Sequence, residues 1–103
     1  MFHHAIELIG KRWTGAIIRA LRCDLVRYNE IAAAVPGLSD RLLSERLKEL
    51  EGEGVVERTV IPETPVRIEY RLTDSGRDLI PALDAMSEWA EKWVVLEGVS
   101  RPS

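Results

Sequence analysis

Ser39, Asp40, Arg41, Ser44, Glu45 and Lys48 gather hydroxyl, carboxylate, guanidinium and ammonium groups into one short stretch. Arg41, Ser44 and Lys48 follow a spacing of i, i+3 and i+7, which sets them in one line along a helix. These groups match the edges of base pairs. Arg and Lys donate to guanine O6 and N7, a Ser hydroxyl donates or accepts, and Glu or Asp accepts from cytosine N4. Asp40 also suits the positive end of a helix dipole. Arg27, Arg67 and Thr64 are of types that bind phosphate oxygens. Arg46 shares that chemistry, but it falls beside Leu42, where an ion pair to a helix carboxylate is an equal alternative. No nucleophile–base pair, phosphate loop or carboxylate dyad is visible, so no catalytic residue and no enzymatic activity is expected.

Metal chemistry has little to work with. His3 and His4 are adjacent and point different ways on a helix, and one cysteine cannot build a zinc site alone. No metal and no cofactor is expected. Cys23 lies between Arg22 and Asp24, whose charges cancel around its thiol, so a passive cysteine is the expectation.

The elements that carry these residues follow from hydrophobic spacing. Phe2, Ala5, Ile6 and Ile9 mark a first helix with one buried stripe, ending at Gly10. Trp13, Ile17, Ala20 and Leu21 mark a second. Tyr28, Ile31, Ala32 and Val35 mark a shorter third, stopped by Pro36-Gly37. Ser39 is a good N-cap for a fourth helix that buries Leu43, Leu47 and Leu50 and ends at Gly52 and Gly54. The period then becomes alternating: Val55 to Ile61 and Val66 to Leu72 read as two strands around a Pro62-Glu63-Thr64-Pro65 tip. Two registers one residue apart are open; pairing Ile61 with Arg67 is preferred, since it sets Glu57 opposite Arg71 and collects Val56, Val60, Ile68, Tyr70 and Leu72 on one face. Thr73 or Asp74 caps a last helix through Leu79, Leu83, Met86, Trp89, Ala90, Trp93 and Leu96. Pro81 should kink or restart it near residues 77 to 81. Val99 to Ser103 read as a frayed end.

The fold class expected is mainly α with a small β-hairpin: a winged helix-turn-helix with a long C-terminal dimerisation helix. Residues 1–103 form a single domain, with the helix-turn-helix at about 28–51, the wing at about 55–72, and dimerisation helices at about 2–10 and 74–97. A chain of 103 residues that is 46% hydrophobic can fill one core, and domains this small often gain stability by self-association. No run approaches the roughly 18 to 20 apolar residues of a membrane span, and the opening residues lack the regions of a signal peptide, so a cytoplasmic protein without membrane contact is expected.

The net charge of −3 argues against a nonspecific DNA coater. Its distribution matters more. Residues 1–72 hold 11 Lys/Arg and 11 Asp/Glu, whereas residues 73–103 hold 3 and 6, so the excess acid belongs to the C-terminal segment. The neutral first part leaves its cations free to cluster on one face.

Several runs resemble the HxlR-type winged helix-turn-helix regulators over about residues 4–93. They are Gly10-Lys11-Arg12-Trp13-Thr14, Arg27-Tyr28-Asn29-Glu30-Ile31, Pro36-Gly37-Leu38-Ser39, Leu43-Ser44-Glu45-Arg46-Leu47-Lys48-Glu49-Leu50, and Val66-Arg67-Ile68-Glu69-Tyr70-Arg71-Leu72-Thr73. The resemblance implies a prokaryotic transcriptional regulator, a homodimer joined through its N- and C-terminal helices, binding a palindromic operator of double-stranded DNA. Two departures stand out. Oxidant-sensing members carry a cysteine just ahead of the first helix, where this chain has Met1-Phe2-His3-His4, and Cys23 does not match it by position. Many members also show Gly-Pro where Asp24-Leu25 stands here.

The expected function is therefore sequence-specific DNA binding. Ser39, Asp40, Arg41, Ser44, Glu45 and Lys48 are the recognition-helix candidates, and Arg27, Arg46, Thr64 and Arg67 the backbone and wing candidates. Ile6, Ile9, Leu83, Met86, Trp89 and Trp93 are the dimer-interface candidates. One rival reading holds an aromatic small-molecule effector between Trp13, Trp89 and Trp93. Another keeps the fold as a protein-interaction module that has lost DNA binding.

Overall fold

The computed structural model describes residues 1–94. Its elements are α1 (Phe2–Ile9), α2 (Thr14–Arg22), α3 (Tyr28–Ala34), α4 (Asp40–Gly52), β1 (Val56–Ile61), β2 (Arg67–Leu72) and α5 (Asp74–Trp93). This is a winged helix-turn-helix with a long C-terminal helix, mainly α with one small hairpin. Leu96, the expected end of the last helix near residue 97, and the Val99 to Ser103 tail lie outside the described residues.

Helices of 7 to 13 residues, such as α3 and α4, are marginal alone, so burial must hold them. Ile17 and Ile18 of α2 are completely buried at the centre. Around them pack Ile31 of α3, Leu43, Leu47 and Leu50 of α4, Val55, Val56 and Leu72 of the hairpin, and Leu83 of α5. Each such side chain contributes roughly 1.5 to 3 kcal/mol on burial. Leu83 was expected on the dimer face. At 8% exposure it belongs instead to the protomer core, over Gly15 of α2.

Local signals place the turns. Gly37 takes φ +88°, which lets the chain reverse between α3 and α4, and the Ser39 hydroxyl accepts from the Leu42 N–H at 3.2 Å. The Thr73 hydroxyl accepts from the Gly76 N–H at 3.2 Å and starts α5. Gly76 is a matter of space: a Cβ there would lie 2.3 Å from the Val55 carbonyl oxygen and 2.9 Å from Leu72 Cδ2. Only a glycine lets α5 begin against the hairpin base. α5 then runs unbroken through Pro81 to Trp93, without a restart, because Leu79, Ile80 and Leu83 anchor it on both sides of the proline.

The hairpin adopts the register in which Ile61 pairs with Arg67 and Glu57 with Arg71. Its outer edge is also covered. Arg27 forms an antiparallel bridge to Glu69, and the Tyr70 N–H donates to the Val26 carbonyl at 2.8 Å, so a short extended segment before α3 serves as a third strand. Glu69, placed by alternation on the solvent side, is consequently buried.

α1 departs from the expected buried stripe, since none of its residues is buried in the protomer. Phe2 is 75% and Ile6 46% exposed, and Ile9 is half-buried. Polar contacts attach the helix region to the end of α4: His4 Nε2 lies 2.8 Å from Glu53 Oε2, and Lys11 pairs with Glu49.

Candidate nucleic-acid interface

The side chains on α4 separate by helical period. Leu43, Leu47 and Leu50 face the core, while Ser39, Asp40, Arg41, Ser44, Glu45 and Lys48 stand exposed at its cap and along its outer side. Arg41 and Glu45 form an i,i+4 pair at 3.3 Å. An exposed pair of this kind contributes little and yields readily to a stronger acceptor.

A brace on α3 holds this face in place. The Tyr28 hydroxyl donates to the Asp40 carbonyl at 2.7 Å and lies 3.1 Å from Ser44 Oγ. Tyr28 has one proton and directs it to the carbonyl, so Ser44 donates to Tyr28 and keeps lone pairs for an outside donor. An exocyclic amine of adenine or cytosine is such a donor.

Of the two roles open to Arg46, the structure shows the ion pair. Its Nη1 donates to Glu49 Oε1 at 2.7 Å, its Nε donates to the Arg12 carbonyl at 3.1 Å, and its side chain is 17% exposed. Lys11 foremost, and then Arg46, hold the Glu49 carboxyl below the usual carboxylate range, against the opposing effect of burial. Arg46 thus ties α4 to the α1–α2 turn.

On the wing, Thr64 is exposed at the tip beside a cis Thr64–Pro65 bond. Arg67 is engaged by carboxylates: its Nη2 lies 3.3 Å from Glu63, and its Nε lies 3.2 Å from Glu69 without hydrogen-bond alignment. Arg71 donates to Glu69 at 2.6 Å. That bond, with the charges of Arg71, Arg67 and Arg27, keeps the Glu69 carboxyl low despite desolvation. Arg27 is exposed where the extended segment meets α3, and its backbone N–H donates to Glu30 at 2.9 Å.

Sequence reasoning missed Arg58. It lies on β1 opposite Tyr70 and lines a cleft with Ser44 and Lys48. Its register partner was legible in the sequence, but the approach of β1 to α4 was not.

The three tryptophans do not share one setting. Trp13 is half-buried by the α3–α4 turn, with Arg12 stacked 4.8 Å from its ring, and it takes φ +79°, a conformation that costs a bulky residue about 1 to 3 kcal/mol. Trp89 and Trp93 are 61% and 54% exposed on α5, as is Met86 at 50%. Cys23 is exposed at the C-terminal cap of α2.

The sequence model of the HxlR-like helix-turn-helix proteins matches residues 8–97. The chain belongs to the HxlR-like helix-turn-helix family. As a member, it is a transcriptional regulator of the helix-turn-helix type. It is 56% identical over 93 residues to the HTH-type transcriptional regulator YvaP of Bacillus subtilis (strain 168), covering 90% of this chain and 86% of that protein. It is 45% identical over 89 residues to the HTH-type transcriptional regulator YodB of the same strain, covering 86% and 80%. The reduced form of YodB from B. subtilis superposes on this HxlR-like chain with a TM-score of 0.81, at 42% identity over 95% of this chain and 94% of that one. The redox regulator HypR in its oxidized form gives a TM-score of 0.81 at 33% identity, over 92% and 98%. No described helix of this family member is long and apolar enough to cross a membrane.

Proposed function

We propose that this regulator binds double-stranded DNA sequence-specifically as a homodimer on a palindromic operator. The observation that carries the reading is the exposed polar side of α4, capped by Ser39 and braced by Tyr28, beside a β-hairpin. α4 would enter the major groove, with Ser39, Asp40, Arg41, Ser44 and Glu45 toward base edges. Arg27 and Thr64 would meet backbone phosphate on either flank. Arg67 would have to leave Glu63 and Glu69 to join them, and Arg46 is occupied within the fold. Phe2, Ile6, Met86, Trp89 and Trp93 supply exposed apolar surface on α1 and α5 for a second copy.

Selection of bound fragments from a random DNA pool by the purified protein tests this reading. The expected product is an inverted repeat whose half-sites lie one helical turn, about 10 to 10.5 base pairs, or a multiple of it apart. Enrichment of sites without dyad symmetry would overturn the palindromic dimer. Retention of no fragment at low salt would overturn DNA binding.

A further inference from the structure

Between α4 and the wing lies a cleft of about 310 Å³, lined by Ser44, Leu47, Lys48, Glu51, Arg58 and Tyr70. Lys48 and Arg58 bring the cations, and Glu51 is the one carboxylate in the lining. Their sum is a single positive charge, which complements one phosphodiester. Leu47 and the Tyr70 ring wall the cleft, and apolar walls strengthen the attraction of a cation for an anion beside it.

The two cations differ from their neighbours in being unengaged. Arg41 is paired with Glu45, Arg46 with Glu49, Arg67 with Glu63 and Glu69, and Arg71 with Glu69. Lys48 and Arg58 have no ion-pair or side-chain hydrogen-bond partner among the described residues. Strand alternation explains the difference on the wing. Arg58 pairs with Tyr70 in the row of Val56–Leu72 and Val60–Ile68, the row that faces α4. Arg67, Glu69 and Arg71 occupy the alternate row, where Glu69 forms ion pairs with both arginines.

We infer that this cleft holds a backbone phosphate of double-stranded DNA, with Lys48 and Arg58 as its cationic contacts. The inference rests on the DNA-binding reading above and sharpens it. Lys48 moves from the base edges to the backbone, and the wing grips DNA through Arg58 at its base more than through Arg67 near its tip. A phosphate seated there would be fixed relative to both α4 and the hairpin, and so would set how deeply α4 enters the groove.

The test is the salt dependence of binding to one selected operator and to random DNA, for the unaltered protein and for K48Q, R58Q, R58K and R67Q. Removing one phosphate-binding cation should flatten the plot of log K against log salt by about one unit. K48Q and R58Q should each do so on both DNAs, R58K should keep the slope of the unaltered protein, and R67Q should change it by less than half as much. Circular dichroism and melting of the R58Q protein serve as the check on folding, since Arg58 is exposed. If the unaltered protein binds and R58Q leaves its slope unchanged, the cleft is overturned and the DNA reading stands. If the unaltered protein binds no fragment, both fall.

Discussion

The Tyr28 hydroxyl donates to the backbone carbonyl of Asp40 at 2.7 Å, joining the first residue of α3 to the first of α4. The bond ties the start of α4 to the start of α3. Tyr28→Phe keeps the ring and removes that bond, and it leaves Ser44 without its acceptor. Stability should fall by about 1 kcal/mol, as for a typical hydrogen bond, measured by urea denaturation. An unchanged midpoint would mean that packing alone holds the two helices together.

Arg41 stands on the outer side of α4 with 88% of its side chain accessible. Arg41→Ala should relax preference at one operator base pair by roughly 1 to 3 kcal/mol and leave other positions as they were. Binding to a panel of singly substituted operators would show it. A uniform loss across the panel would reassign Arg41 to the backbone.

Gly76 tests the junction of helix and wing. Gly76→Ala drives a methyl group into the Val55 carbonyl, a backbone atom that cannot swing aside. Overpacking of this kind should cost roughly 1 to 3 kcal/mol and lower the melting temperature. A melting temperature at or above that of the unaltered protein would show that α5 shifts freely on the hairpin.

Acid should weaken the fold through Glu49 and Glu69. Lys11 and Arg46 depress the first carboxyl, and Arg71 foremost depresses the second. A carboxyl whose folded pKa is lowered stabilises fully above its unfolded pKa and loses that contribution as pH falls through the folded value. The melting temperature should therefore drop as pH passes below the ordinary carboxylate range. The gap between the unaltered protein and Glu49→Gln should close over the same interval; a gap independent of pH would assign Glu49 a role other than its ion pairs.

Trp89 carries the dimer prediction. At 61% exposure it contributes little to the protomer core, so Trp89→Asp should leave circular dichroism unchanged and convert a dimer to a monomer in light scattering. A variant that remains dimeric would place the interface elsewhere.

Much of the architecture was legible because its causes are local. Ser39 and Thr73 cap the helices that follow them, Gly37 takes the left-handed turn, and the hairpin turns at its Pro62-Glu63-Thr64-Pro65 tip. Each signal acts within a few residues or across one tight turn. The fate of Glu69 was not legible in this way. Its burial comes from the Val26–Arg27 segment covering β2, and alternation along one strand says nothing about what lies beyond its edge.

The sequence by itself determined the order of elements and the caps at Ser39 and Thr73, because hydrophobic period and turn chemistry are short-range properties of the chain, while the family was read from the resemblance of whole motifs and the wing register was narrowed to a preference. The tertiary structure decided which of many similar charges are free to act. Arg46 is drawn to the Arg12 carbonyl 34 residues away, Arg67 is held by two carboxylates, and Lys48 and Arg58 line a cleft without an ion-pair partner among the described residues. It also took Leu83 into the core and left the apolar stripe of α1 uncovered. Those outcomes depend on distances through space between elements remote in sequence, and charge pairing and burial are decided at those distances.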